Sequence, residues 1–319
     1  MKKIKTAVIG VGHLGRFHAQ KYAQLPEAEL IGVTDANPDR AASVAAEVNA
    51  KAFPSHRALF GLVDAVSIAT PTDSHFSIGM EFLSRGVDCL IEKPVTNSTG
   101  EARRLVDEAK LKKAVLQVGH VERFNPAITA LEGRVLNPVF MECVRVSPFP
   151  DRSTDVDVVL DLMIHDIDIV LSLVKSDVAE AAAAGAAVLT DMADAASAML
   201  RFKNGCAAVF TASRVSKERV RKLDIYQKDG YLSVDYANQL LSISRATRAP
   251  GSAFGELTRE NIAVEKKDTL LEEIRAFVRC SAEKRAPLVS GADALRALEV
   301  AGRIQQALRT AKGKCDVLL

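Results

Sequence analysis

Two patterns of apolar residues divide the chain near His120. Before it, Ile4–Ile9, Glu29–Thr34, Asp64–Ala69, Val87–Ile91 and Val115–Val118 are short runs, several apolar nearly throughout, as strands covered on both faces should be. Leu14–Leu25, Pro38–Val48, Ser74–Ser84 and Glu101–Lys112 lie between them with helical composition, and Ser98 stands three residues before Glu101 as in a capping box. Strand and helix in alternation predict a doubly wound parallel sheet with crossover helices.

After His120 the runs change character. Phe140–Val146, Ala195–Phe202, Ala207–Ser213, Lys222–Gln227, Tyr231–Asp235 and Leu240–Ser244 read as strands, with Asn204-Gly205 and Asp229-Gly230 as hairpin turns. Leu160–Val174, Leu270–Cys280 and Ala292–Leu308 read as helices, Ala179–Ala187 as an alanine-biased stretch, and Arg245–Glu260 as a loop. The fold class expected is α/β: a parallel-sheet domain over residues 1–120, then an α+β domain over 121–319 with an open, mostly antiparallel sheet.

Composition narrows the partners. Lys+Arg number 42 against 40 Asp+Glu, with no strongly basic block, so the electrostatic footprint of a nucleic-acid binder is missing. No run reaches the ~20 apolar residues of a membrane helix, and the N-terminal apolar run is broken by Gly10 too early for an export signal. Five widely spaced cysteines without a C-x-x-C pair fit neither a disulfide framework nor a thiolate zinc site, but a reducing cytoplasm. A small-molecule ligand is expected.

Gly10-Val11-Gly12-His13-Leu14-Gly15 follows the first strand and opens the first helix. This is the Rossmann fingerprint: one glycine for the tight turn, one for close approach of a pyrophosphate, one for helix packing on the strand. The helix N-terminus adds unpaired N–H groups to such an anion site. Asp35, at the end of the second strand, is placed to accept from an adenosine ribose and to repel a 2′-phosphate, which favours NAD, although Arg40 nearby tempers that choice. His13 and His18 read as packing or hydrogen-bonding residues of the first helix. Thr70-Pro71 ends the third strand, where the ligand crevice of such a sheet opens.

Chemistry is suggested in two places. Val87–Ile91 runs into Glu92-Lys93-Pro94, so Lys93 stands at the carboxyl end of a parallel strand, facing the crevice. Asp161 and His165 are four residues apart, on one face of the expected helix. Asp151, Asp155, Asp157, Asp166 and Asp168 also surround His165, but no second histidine accompanies it at ligand spacing, and no metal is expected.

Together, the glycine loop, Asp35, Glu92-Lys93-Pro94, the Asp161-x-x-x-His165 pair and the hairpin-rich second half resemble the Gfo/Idh/MocA family of oxidoreductases. The resemblance spans nearly the whole chain and implies NAD-dependent oxidation or reduction of sugars, cyclitols and related polyols, with the open sheet forming homo-oligomer contacts as a dimer or tetramer. It carries cofactor binding to Gly10, Gly12, His13, Leu14, Gly15, Asp35, Arg40, Thr70, Pro71, Glu92 and Lys93, and catalysis to Lys93, Asp161 and His165. A histidine, with an ordinary pKa of ~6.5, suits removal of a hydroxyl proton near neutral pH. An ammonium stabilises alkoxide character. Sequence leaves open which of the two takes the proton; His165 is assigned as base and Lys93 as its electrostatic partner.

Gly119-His120-Val121-Glu122-Arg123-Phe124-Asn125-Pro126 further resembles members of that family acting on nucleotide sugars, of the UDP-N-acetylglucosamine 3-dehydrogenase type. Those enzymes make a 3-keto sugar, the precursor of a 3-amino sugar for lipid A or surface glycan. His120, Arg123 and Asn125, with Lys93, Asp161 and His165, are then the expected substrate contacts, Arg123 through its planar fork. An inositol or free-sugar dehydrogenase of the same family, and a non-catalytic dinucleotide-binding sensor, remain the alternatives.

Overall fold

A computed structural model describes residues 3–149, 156–228, 230–247 and 255–315. The chain forms two units: one runs to Phe124 and includes Asp268–Leu295, the other comprises Asn125–Lys267 and the chain from Arg296 onward.

In the first unit the chain passes through β1 (Ile4–Ile9), α1 (His13–Gln24), β2 (Ala28–Thr34), α2 (Pro38–Glu47), the short β3 (Lys51–Ala52), β4 (Ala65–Ile68), α3 (Thr72–Leu83), β5 (Asp88–Glu92), α4 (Thr99–Lys112) and β6 (Leu116–Gly119). The strands are all parallel, in the order β3-β2-β1-β4-β5-β6. β4 and β5 are buried at every position, which is why their sequences do not alternate. Local signals fix the helix starts: Asn37 accepts from the Asp39 and Arg40 N–H groups with Pro38 at the first position of α2, and Ser98 accepts from the Glu101 N–H. Strand order reverses between β1 and β4, so a ligand crevice opens at their carboxyl ends.

The second unit contains α5 (Pro126–Thr129), β7 (Phe140–Val146), a π turn over Val159–Met163 leading into α6 (Ile164–Val174), then β8 (Val178–Ala186), β9 (Ala195–Phe202), β10 (Ala207–Ser213), β11 (Val220–Gln227), β12 (Gly230–Asp235), β13 (Leu240–Thr247) and β14 (Glu256–Ile262). Its eight strands run β14-β13-β12-β11-β7-β10-β9-β8, antiparallel except where β7 meets β10. Burial alternates residue by residue along β9 and β10, so one face of the sheet is covered. The open face presents Met199, Tyr226, Leu240 and Leu257 to solvent.

The alanine-biased stretch supplies most of β8, Val178–Ala186, because pairing with β9 overrides the low strand propensity of alanine. Two expectations change. Arg245–Glu260 is not one loop, since β13 extends to Thr247 and β14 pairs with it from Glu256. Residues 268–295, expected in the second domain, belong to the first unit.

The reason is α7 (Thr269–Glu283): Ile274, Phe277 and Val278 join the core of Val8, Ala19, Tyr22 and Leu90. Its C-terminal end is tied to β5 at buried Asp88, which accepts from Ser281 Oγ at 2.6 Å and Lys284 Nζ at 2.8 Å. α8 (Gly291–Cys315) follows. Asp229 of the expected hairpin lies outside the described residues, but Gln227 and Gly230 pair across it. Cys89, Cys143, Cys206 and Cys280 are buried free thiols. No described helix is long and apolar enough to cross a membrane.

Candidate active site

The glycine loop has the shape its sequence demands. Gly10 is at φ +80°, and a Cβ at Gly15 would stand 1.8 Å from the Gly10 carbonyl oxygen, so α1 can lie this close to β1 only without that side chain. A Cβ on Gly12 would meet nothing nearer than Arg40 Nη1 at 3.6 Å, which leaves its backbone open to a ligand. α1 has no side-chain cap and no acidic residue in its first turn, so its N-terminus keeps N–H groups for an anion.

Asp35 shapes the loop. Its carboxylate accepts from the N–H of Val11 and of Asn37, both at 2.8 Å, tying the loop to the end of β2. Arg40 stands 3.7 Å away and half exposed, where it restrains the same carboxylate. Val11, Gly12, His13, Arg16 and Arg40 line a cleft of about 400 Å³. His13 and Leu14 are exposed, His13 edge-on to Phe17. Glycines, free helix end and acid together fit a dinucleotide.

Because β1, β4 and β5 are adjacent and parallel, their following turns share one edge of the sheet. Thr70 and exposed Pro71 lead into α3, where Ser74 Oγ donates to Thr70 Oγ1 at 2.8 Å. His75 is a residue that sequence reasoning missed. Its buried ring stands 2.9 Å from the Thr70 carbonyl and 3.0 Å from that of Pro94, linking the turn after β4 to the turn carrying Lys93. A histidine one turn into the helix after Thr70-Pro71 was the available signal. Lys93 itself is half-buried and precedes a cis Pro94. Glu92 is buried and accepts from His18 Nε2 at 3.0 Å, which ties the end of β5 to α1.

In the second unit, Asp161 falls in the π turn and His165 in the first turn of α6, both half-buried. The continuous α-helix expected over Leu160–Val174 therefore begins wider than drawn, a feature that recurs at functional sites. Asp166, next to His165, makes a bidentate pair with Arg145 of β7, both bonds 2.9 Å and both residues buried, which holds α6 on the sheet.

The approach to the π turn is held by a second buried pair. Fully buried Arg214 donates to Asp194 Oδ1 at 2.8 Å, to the Val156 carbonyl at 2.7 Å and to Thr190 Oγ1 at 3.1 Å. Asp194 also accepts from the N–H groups of Val188, Leu189 and Thr190. Although burial opposes it, these backbone donors and Arg214 hold the Asp194 carboxyl far below the ordinary range.

Of the expected substrate contacts, His120 is buried, and Arg123 donates to the Leu288 carbonyl at 3.3 Å. Asn125 has a part in the fold. Buried, it accepts from the Ala127 N–H to cap α5 and donates to the Tyr236 carbonyl at 3.0 Å. Asp151 and Asp155 lie outside the described residues. Asp157 caps the π turn through the N–H groups of Val159 and Leu160. Among the described residues, the acidic and histidine side chains that do converge are His18, Glu92 and Glu273 of the first unit.

Comparison with known proteins agrees with this construction. Residues 4–120 match the model of the oxidoreductase family with an NAD-binding Rossmann fold, and residues 101–233 match the GFO/IDH/MocA C-terminal domain. The chain is 42% identical to UDP-N-acetylglucosamine 3-dehydrogenase of Acidithiobacillus ferrooxidans over 97% of its own length and 98% of that protein. The solved structure of that enzyme, GnnA, superimposes with a TM-score of 0.91, covering 97% of this chain and 99% of that one. Myo-inositol 2-dehydrogenase of Thermotoga maritima is 24% identical over 92% of this chain and 93% of its own. A levoglucosan dehydrogenase solved with NADH and levoglucosan shares the fold, at 18% identity and a TM-score of 0.85 over 97% of this chain and 98% of its own.

Proposed function

The chain belongs to the GFO/IDH/MocA family of NAD-binding oxidoreductases, and from that premise we propose that it oxidises C3 of UDP-N-acetylglucosamine to the 3-keto sugar. The observation that carries this reading is the 42% identity to a UDP-N-acetylglucosamine 3-dehydrogenase across 97% of the chain, with a TM-score of 0.91 to its structure. The product is the precursor of a 3-amino sugar for lipid A or another surface glycan, made in the cytoplasm by a homo-oligomer.

NAD, when bound along Gly10–Gly15 and Asp35, supplies the hydride acceptor. His165 takes the proton of the C3 hydroxyl as the C3 hydrogen leaves with its electron pair, so that a ketone forms. Lys93 hydrogen-bonds the reacting oxygen and stabilises its alkoxide character. Asp161 orients His165 or binds a neighbouring hydroxyl. Arg123 is assigned to the diphosphate or sugar oxygens.

The test is to incubate the purified protein with NAD and UDP-N-acetylglucosamine, follow NADH, and trap the product with an aminotransferase for mass spectrometry. A 3-amino sugar is expected, and Lys93→Ala and His165→Ala should abolish it. Oxidation of myo-inositol in preference to the UDP-sugar would refute the substrate. No reduction of NAD with any polyol would favour the sensor.

A further inference from the structure

Behind the turn that carries Lys93, three ionisable side chains meet in the interior of the first unit. One nitrogen or oxygen each of His18, Glu92 and Glu273 lies within 4.8 Å of the other two, and all three residues are buried. They arrive from α1, β5 and α7. Gly119, opposite Glu92 on β6, makes the space, since a Cβ there would stand 2.8 Å from the Glu92 carboxyl. Gln117 on the same strand donates to the Glu273 carbonyl at 3.2 Å and sets the height of α7.

The donors can be assigned in one direction. Tyr22 O–H donates to Ser67 Oγ at 2.8 Å, Ser67 O–H to His18 Nδ1 at 3.1 Å, and His18 Nε2–H to Glu92 Oε1 at 3.0 Å. The backbone N–H of Lys93 faces the other Glu92 oxygen at 3.3 Å. That chain is satisfied with Glu92 ionised. Glu273 is different: fully buried, it has no hydrogen-bond partner on either oxygen among the described residues. Two ionised carboxylates this close and this dry repel each other, so one must keep its proton.

The energetics say which. Burial works to raise the Glu92 pKa, but the His18 hydrogen bond, then the charge and backbone N–H of Lys93, bring it below its ordinary value. Burial first, and the charge of Glu92 second, push Glu273 well above the ordinary carboxyl range. The uncharged form of Glu273 is also the only one with a hydrogen to offer Glu92.

We propose that Glu273 is held as the neutral acid beside an ionised Glu92, and that Glu273, Glu92 and His18 are positioning residues for Lys93. The Glu92 carboxylate is gripped by α1 on one side and by the Lys93 backbone on the other, so the glycine loop and the Lys93 turn are held in one register. Ionising Glu273 sets a second charge beside Glu92 and loosens that grip. The groups toward Glu273 are His18 and Tyr22 of α1 and Glu92 of β5. From the other elements packed on α7, the turn Val121–Phe124 adds Glu122 and Arg123, and β1 adds exposed Lys5. The inference rests on the reading of Lys93 as catalytic.

Infrared spectroscopy of the whole protein, with side-chain carboxyls labelled by ¹³C-glutamate, reads the proton directly. A protonated glutamic acid is expected at neutral pH in the wild type and is expected to vanish in Glu273→Gln. In kinetics, Glu92→Gln should lower kcat by about 10²-fold with KM little changed, the cost of a small misplacement of a catalytic group. Glu273→Ala should also lower kcat, and Glu273→Gln should rescue it and move the alkaline limb of the kcat profile to higher pH. A wild type with every glutamate ionised at neutral pH, an unmoved alkaline limb in Glu273→Gln, or wild-type kcat in Glu92→Gln would each overturn the proposal. Wild-type turnover by Lys93→Ala would instead remove the catalytic reading of Lys93 and leave the spectroscopic result on Glu273 standing.

Discussion

Replacing Arg214 by Met removes a charge from the second unit while keeping most of the side-chain volume. Arg214 is fully buried, and its guanidinium serves Asp194, the Val156 carbonyl and Thr190 at once. Breaking a buried ion pair by deleting one partner costs about 3–5 kcal/mol, because the other charge is left uncompensated. Here Asp194 keeps three backbone N–H donors and the Thr190 hydroxyl at 2.8 Å, so the cost falls near the lower end, about 3 kcal/mol. Urea unfolding is the assay. With a slope of about 1–3 kcal/mol per molar urea, the midpoint drops by at least about 1 M.

The chain has no tryptophan, and Tyr226, Tyr231 and Tyr236 make three of its four tyrosines, so tyrosine fluorescence weights this unit. Loss of the bond to the Val156 carbonyl should also speed amide exchange over residues 156–166, where the π turn with Asp161 begins. A midpoint equal to that of the wild type, with unchanged exchange, would refute the idea that this pair holds the approach to Asp161.

Other outcomes follow from the same geometry. Gly15→Ala sets a Cβ 1.8 Å from a backbone oxygen that cannot swing aside, so α1 must retreat and calorimetry should find NADH binding lost. Asp35→Ala removes two charge-assisted hydrogen bonds within the loop and the repulsion of a 2′-phosphate; affinity for NADH should fall while that for NADPH, helped by Arg40, should rise. Glu273 makes stability depend on pH. Its folded pKa is raised above an unfolded value of ~4.3, so its contribution is full below that value and declines as pH rises toward the folded pKa. Glu273→Gln should therefore gain thermal stability relative to wild type on going from pH 5 to pH 8, and parallel melting curves at both pH values would contradict this. Asp194 has the opposite sign: its depressed pKa stabilises above the unfolded value of ~3.9 and is lost as pH falls through the folded one, so Arg214→Met should show less acid sensitivity.

Local chemistry was legible in the sequence. The ends of β1, β7, β9 and β10 can be read from residue patterns alone, because one or both faces of each strand are buried and only one register hides them. The Gly10–Gly15 loop, Asp35 and the Asn37 and Ser98 helix starts are equally local, since their geometry is set within a turn or two of chain. Other features depend on neighbours distant in sequence. Alanine-rich β8 and polar, exposed β14 become strands through pairing with β9 and β13, which no propensity signals. Helix α7 looks like part of the second half until Asp88 and the β1–α1 core claim it. Glu273 reads as one of many helical glutamates, and its burial beside Glu92 and His18 exists only once α1, β5 and α7 are packed. The sequence by itself determined the strands whose apolar faces are buried and the shape of the Gly10–Gly15 loop. The tertiary structure decided which ionisable groups lose water together, because desolvation and charge repulsion depend on through-space distance rather than on spacing along the chain.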